Sequence, residues 1–173
     1  TADTLVVGPG SVNLWISSSA TDTDLEATIS EVRPDGTEVY VQSGWLRASL
    51  RKLDTAASTE LRPVHTDLEA DAAPLPAGQF SPVRIELFPV AHAFRAGSRI
   101  RLTIDAPGNN RPVWEFRTID KGEQVTVGYD SARPSQLVLS VVPNAKVPQP
   151  APPACGSLRA QPCRPYTPAG NGG

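Results

Sequence analysis

The sequence is short of the residues on which most catalytic sites depend. Its 173 residues include two histidines, two cysteines and no methionine. Histidine is the side chain that most often moves a proton in catalysis, so few general bases are available. No G-x-S-x-G pentapeptide occurs, and the strained serine elbow of an α/β-hydrolase needs one. We therefore expect no catalytic triad and no catalytic residue in this chain.

The two histidines are predicted to have structural roles. His65 lies in a polar, irregular stretch, and His92 lies shortly before a strand-like segment. Neither adjoins a recognisable nucleophile motif. Surface exposure or packing is the expected outcome for both, rather than proton transfer.

Charge and hydropathy exclude two classes of partner. The net charge of −2, from 16 basic and 18 acidic residues, gives no electrostatic basis for binding nucleic acid or an anionic membrane surface. No run of eighteen apolar residues occurs, so no transmembrane helix is predicted. The first residues, TADTLVVGPG, contain no initiating methionine and no basic, apolar leader. This start predicts a chain that begins inside a longer protein.

Metal and cofactor motifs are also absent. Asp22, Thr23 and Asp24 could supply oxygen ligands to calcium, but two carboxylates do not specify a site and the same residues suit the start of a strand. The C-x7-C spacing of the cysteines, without a partner histidine, does not match zinc. We expect no metal and no cofactor.

The residues that are abundant indicate an all-β chain. Eighteen prolines and thirteen glycines accompany alternating apolar positions, with little amphipathic-helix pattern. Leu25, Ala27 and Ile29 fall on one face of a strand. Pro34-Asp35-Gly36 then supplies a turn, and Val39 and Val41 resume the alternation. This pattern predicts a hairpin.

Further strands are expected at residues 12–16, 80–87, 99–104, 123–129 and 137–141, while 91–94 is expected to form one helical turn that ends at Gly97. Short strands at this spacing fit a two-sheet sandwich. The pattern alone leaves a jelly roll and an immunoglobulin-like sandwich open.

The composition changes after Pro143. We predict a β domain over residues 1–143 and a proline-, alanine- and glycine-rich tail over 144–173. Cys155 and Cys163 lie in this tail and would close a short loop as a disulfide, which we favour over two free thiols. A disulfide would imply an exported protein.

The three tryptophans are Trp15, Trp45 and Trp114. Exposed indoles could stack on a sugar or line an acyl pocket, although large aromatic residues more often pack in the core. Trp15 falls on the polar phase of its strand, opposite the face that carries Val12. We therefore expect it to cover a second surface, such as another domain.

Three segments carry a family resemblance: DTDLEATISEVRPDGT, SGWLRASLR and FRAGSRIRLTI, in this order between Gly8 and Pro143. They resemble the C-terminal domain of the X-Pro dipeptidyl-peptidase and cocaine-esterase-like (CocE/NonD) serine hydrolases. The resemblance implies a jelly-roll sandwich of the galactose-binding-like type. It also implies that the catalytic Ser, Asp and His belong to a preceding α/β-hydrolase domain. The sequence departs from the family at Gly97-Ser98, where a Gly-His pair is common.

By this resemblance, the chain is a non-catalytic β-sandwich domain that packs on an α/β-hydrolase domain and helps to shape its acyl or peptide substrate site. The parent protein would be a dipeptidyl-peptidase or an esterase. Trp15, Trp45, Arg47 and Trp114 are the residues predicted for the substrate or interdomain face. The alternative is a stand-alone carbohydrate- or ligand-binding module that uses exposed aromatic residues. A third hypothesis is that the proline-rich tail only tethers or spaces the domain.

Overall fold

The structure, a computed structural model, describes residues 2–108, 118–119, 122–147, 151–157 and 162–168. Within these residues the secondary structure is almost entirely β. The strands are β1 (Thr4–Ser18), β2 (Asp24–Val32), β3 (Thr37–Arg47), β4 (Ser81–Phe94), β5 (Arg99–Asp105), β6 (Val125–Gly128), β7 (Gln136–Val142) and β8 (Cys163–Pro165). Two 3₁₀ helices, Ala48–Leu50 and Glu69–Asp71, interrupt the loops. Among the described residues, no helix has the length and hydropathy needed to span a bilayer.

The strands form two antiparallel sheets. In sheet A, the long strand β1 pairs with β4 on one side and with β7 and then β6 on the other. In sheet B, the order is β5-β2-β3-β8. The predicted all-β, two-sheet sandwich is confirmed. The jelly-roll and galactose-binding-like assignments stay predictions.

The apolar alternation seen in the sequence marks the inner faces of the sandwich. Apolar side chains at alternate positions of β1, β2 and β4 point into the space between the sheets, because strand side chains alternate between the two faces. These buried residues are Val12, Leu14, Ile16, Leu25, Ala27, Ile29, Val83, Ile85 and Leu87. The segment 91–94 does not form the expected helical turn. It continues β4 because it pairs with the first residues of β1.

The backbones of β3 and β4 come into close contact where the two strands pass each other. Gly44 is buried there, and a Cβ atom at this position would overlap the backbone carbonyl of Glu86. Only a residue without a side chain lets the two backbones come this close. Gly44 therefore sets the spacing between the sheets along this side.

A buried ionic cluster connects the C-terminal end of β2 to the C-terminal end of β4. Glu31 is 1% exposed, and its carboxylate lies 3.2 Å from His92 Nε2 and 3.5 Å from Arg33 Nε. The backbone N–H of Arg95 donates a further hydrogen bond of 3.1 Å. Burial raises the pKa of Glu31, but the hydrogen bonds from His92 and Arg95 outweigh it and lower the pKa to about 2.

The long connection between β3 and β4 lies across the outer face of sheet A. Ser11 Oγ donates to the carbonyl of Glu60 at 2.7 Å, and Arg84 Nη2 donates to the same carbonyl at 2.7 Å. Arg84 Nε also donates to Asn13 Oδ1 at 2.9 Å. These bonds attach the loop to two neighbouring strands.

Replacing Gly44 by alanine should destabilise the fold by about 3 kcal/mol or more, because the new methyl group must displace backbone on β3 or β4. Urea unfolding of the purified chain measures this loss. Gly36→Ala is the matched control: its φ is +83°, but an added Cβ meets no atom within 4 Å. Its expected cost is about 1–2 kcal/mol, from backbone conformation alone. Equal losses for the two variants would contradict the close approach.

The Glu31 cluster should make stability depend on pH in the acidic range. Because the folded pKa lies below the ordinary value of 4.5, the contribution is complete above that pH and is lost as pH falls towards about 2. The ionised Glu31 carboxylate contributes about 3 kcal/mol to the free energy of unfolding. Urea unfolding of the wild-type chain and Glu31→Gln between pH 7 and 2 should show a large difference that shrinks below about pH 4.5. Glu60→Gln, at an exposed position, controls for the loss of one carboxylate. A difference independent of pH would rule out the carboxylate as the source.

Candidate functional site

Trp45 and Arg47 alternate along the end of β3 and lie on the outer face of sheet B, where they stand opposite Glu26 and Asp24 of β2. Trp45 is half-buried. Its ring packs against Phe88 of β4, with centroids 5.5 Å apart and planes tilted by 50°. Phe88 is 45% exposed. The close approach of β3 and β4 thus produces an aromatic pair that is partly open to solvent.

Arg47 is held in place beside this pair. Its Nε and Nη2 donate to the two carboxylate oxygens of Asp24 at 2.9 and 3.1 Å, a bidentate geometry that fixes the guanidinium plane. The hydrogen bonds that Arg47 donates to Asp24 raise the pKa of Arg47 above its ordinary value. Because 39% of the Arg47 side chain remains exposed, it presents an oriented positive charge at the surface.

The Asp22-Thr23-Asp24 motif closes the end of the hairpin. Asp22 Oδ1 accepts hydrogen bonds from the backbone N–H groups of Thr23 and Ser49 at 2.9 and 2.8 Å. Asp24 accepts a bond from the N–H of Ile119 at 2.7 Å as well as those from Arg47. Both carboxylates therefore fasten neighbouring segments. Among the described residues, no group of three or more His, Cys, Asp or Glu side chains could hold a metal ion.

Two shallow clefts flank the aromatic pair. One, of ≈ 240 Å³, is lined by Trp45, Arg47, His65, Glu86 and Phe88. The other, of ≈ 280 Å³, shares Trp45 and Arg47 and extends to Pro107. The sequence did not indicate that the loop brings His65 here, because its position depends on a bridge to Leu53 and on the path of the loop over sheet A.

His65 has no nucleophile beside it in the first cleft. Burial lowers the pKa of His65, so its imidazole is neutral at pH 7. No serine or cysteine is among the described residues that line this cleft. The arrangement offers an apolar surface, a fixed cation and a neutral imidazole, which suit contact with another surface better than covalent catalysis.

The structure separates Trp15 from Trp45. Trp15 is half-buried on the outer face of sheet A, opposite Pro82 and Gly128. Its backbone N–H donates to Ser135 Oγ at 3.0 Å. Val12 lies buried on the inner face, as the alternation predicted. Trp114 lies outside the described residues.

A buried row of polar side chains runs along the outer face of sheet B, and sequence reasoning missed it. Thr28 Oγ1 and Ser43 Oγ lie 2.7 Å apart, and Ser30 Oγ donates to Glu38 Oε1 at 2.6 Å. Burial raises the pKa of Glu38, but hydrogen bonds from Arg164 and Ser30 lower it below its ordinary value overall. The alternation of β2 puts Glu26, Thr28 and Ser30 together on one face, but the sequence does not indicate that this face is covered.

The covering comes from the C-terminal region. β8 pairs with the start of β3, so part of the segment predicted as a tail adds a strand to sheet B. Cys155 and Cys163 form a disulfide with their Cα atoms 5.8 Å apart. The boundary predicted between residues 143 and 144 stays a prediction.

The sequence and structure match proteins of known families. Residues 1–137 match the family of the X-Pro dipeptidyl-peptidase C-terminal non-catalytic domain. Two mycobacterial proteins named as serine esterases, from Mycobacterium bovis and Mycobacterium tuberculosis, are each 32% identical over 101 residues. That alignment covers 57% of this chain and 16% of each relative.

A solved structure of a CocE/NonD family hydrolase from Staphylococcus aureus superposes with a TM-score of 0.70 and 28% identity, covering 82% of this chain and 29% of that protein. An aminopeptidase from a marine sediment archaeon, at 18% identity and a TM-score of 0.60, shares the fold. The chain thus spans less than a third of the length of these relatives. It belongs to the family of X-Pro dipeptidyl-peptidase C-terminal non-catalytic domains, which occurs in hydrolases of the CocE/NonD type.

Proposed function

We propose that this chain packs against the α/β-hydrolase domain of a serine hydrolase and helps to form the substrate cleft of that domain. The observation that carries the proposal is the half-exposed Trp45–Phe88 pair beside Arg47, whose guanidinium Asp24 holds in one plane. Aromatic residues and arginine are enriched where protein surfaces meet. Family membership supports the same role.

The whole protein would hydrolyse an ester or an X-Pro peptide bond through an acyl-enzyme intermediate. The names of the mycobacterial esterases and of the staphylococcal hydrolase support this class of reaction. The catalytic Ser, Asp and His would come from the α/β-hydrolase domain. In this chain, the backbone of His65 forms a bridge to Leu53, and the imidazole of His92 belongs to the Glu31 cluster.

Trp45 and Arg47 would form the centre of the interdomain face, with the two flanking clefts receiving side chains from the hydrolase domain. Trp15, on the outer face of sheet A, would contact a second part of the same domain. The jelly-roll, galactose-binding-like topology belongs to this proposal. We also propose that the protein is exported, and the disulfide between Cys155 and Cys163 supports this.

Trp45→Ala in the longer protein that carries the hydrolase domain should lower kcat/KM for a chromogenic ester about tenfold, because the interdomain contact positions the substrate cleft. Val141→Ala is the control for loss of an exposed apolar side chain, since Val141 is 53% exposed and lies on β7, away from Trp45 and Trp15. Hydroxyl-radical footprinting gives a second measurement. Trp45 and Phe88 should be oxidised more slowly in the longer protein than in the isolated chain.

Equal oxidation of Trp45 and Phe88 in the two proteins, with unchanged activity of Trp45→Ala, would contradict this interdomain face. Calorimetric titration of the isolated chain with a panel of oligosaccharides tests the alternative. Saturable sugar binding that Trp45→Ala or Trp15→Ala abolishes would identify a stand-alone binding module instead.

A further inference from the structure

We propose that residues 151–157 and 162–168 act as a strap across sheet B, that the Cys155–Cys163 disulfide holds the strap in place, and that a thiol reductant opens it. The site lies apart from the Trp45 face. The inference stands on the contacts of the strap and does not require the proposed interdomain role.

Backbone pairing fixes the register of the strap on β3. In β8, Cys163, Arg164 and Pro165 stand opposite Val39, Glu38 and Thr37. Two bonds extend this pairing: the N–H of Tyr40 donates to the carbonyl of Pro162 at 3.0 Å, and the N–H of Tyr166 donates to the carbonyl of Gly36 at 2.8 Å. The strap therefore covers the first residues of the edge that β3 would otherwise present to solvent.

Charged side chains add a second layer of contact. Arg164 Nη2 and Nε lie 3.2 and 3.3 Å from the carboxylate of Glu38, which is only 2% exposed. Arg101 Nη1 donates to Glu38 at 3.0 Å and to the carbonyl of Thr167 at 2.9 Å. The ring of Tyr166 lies 5.1 and 5.4 Å from the guanidinium carbons of Arg99 and Arg101, within range of a cation–π contact.

The other end of the strap has its own anchor. Arg33 Nη1, on a side chain that is 8% exposed, donates to the carbonyl of Pro153 at 2.9 Å. Pro153 lies two residues before Cys155, whereas Cys163 begins β8. The disulfide thus joins the segment that contains Pro153 to the segment that contains β8, and each segment has its own contacts with sheet B.

The disulfide decides whether the strap stays closed, because the pairing it protects is short. β8 has three residues, and Arg164 and Tyr166 are not buried beneath other segments. Strands this short are weak when only local pairing holds them. Closing the loop between Cys155 and Cys163 removes conformational freedom from the open state and so favours the closed one.

A thiol reductant can reach this bond, since Cys155 is exposed. The thiolate of a dithiol attacks one sulfur, breaks the S–S bond and forms a mixed disulfide. Its second thiol then displaces the remaining cysteine. Two electrons and two protons pass to the protein, which gains two thiols, and the dithiol becomes a cyclic disulfide.

Opening would uncover the polar row of sheet B. A cleft of ≈ 150 Å³ lies between the strap and the sheet, lined by Thr28, Ser30, Glu38, Tyr40, Pro162 and Arg164. Release of Arg164 would leave Glu38 with Arg101 as its cationic partner. The edge of β3 would at the same time lose its strand partner.

Hydrogen exchange with mass spectrometry tests the latch on the full 173-residue chain, oxidised or reduced with dithiothreitol. On reduction, exchange at residues 37–40 and 163–167 should accelerate roughly ten- to a hundredfold, while β1 and β4 keep their protection. The double variant Cys155→Ser, Cys163→Ser should show the fast exchange without reductant and no further change when reductant is added.

Arg164→Ala, in the oxidised chain, separates the disulfide from the ion pair. It should keep most of the protection, because the disulfide still closes the strap. If Arg164→Ala loses as much protection as reduction does, the ion pair of Arg164 keeps the strap closed and the proposal is wrong. Unchanged exchange on reduction, or an equal acceleration in β1 and β4, would also overturn it.

Discussion

The closeness of β3 to β4 at Gly44 is the constraint on which the rest of the structure depends. A side chain at this position would overlap the Glu86 carbonyl, so the two sheets take their spacing here from backbone contact. The next residue is Trp45, and the same crossing places its ring against Phe88. The contact between Trp45 and Phe88 therefore follows from the packing of the two sheets.

Carboxylates on β2 and β3 form ion pairs that connect the strands of the sandwich. Glu31 pairs with His92, Glu38 with Arg101 and Arg164, and Asp24 with Arg47. Each pair joins β2 or β3 to another strand or to a neighbouring position of the hairpin. Breaking a pair by removing one partner would leave a buried charge without compensation, which is costly. These ion pairs thus act in the folding of the sandwich.

The sequence was sufficient to predict the sandwich, since the alternation of Leu25, Ala27 and Ile29 depends only on which face is buried. It was insufficient wherever a distant partner decides the outcome. Residues 91–94 resemble a helical turn locally, but they extend β4 because β1 offers a strand to pair with. The burial of Ser30 and Glu38 depends on Arg164, more than 120 residues away. The sequence could propose Trp45 and Arg47 for a face, which stays a prediction, but it could not indicate that His65 lies beside them.

We propose that this domain contributes to hydrolysis only together with an α/β-hydrolase domain. The most direct test is hydrolysis of chromogenic ester and X-Pro-amide substrates by the 173-residue chain and by the longer protein that carries the hydrolase domain. We expect turnover by the longer protein and none above the uncatalysed rate by the chain alone. Turnover by the 173-residue chain that His65→Ala or His92→Ala abolishes would contradict the account.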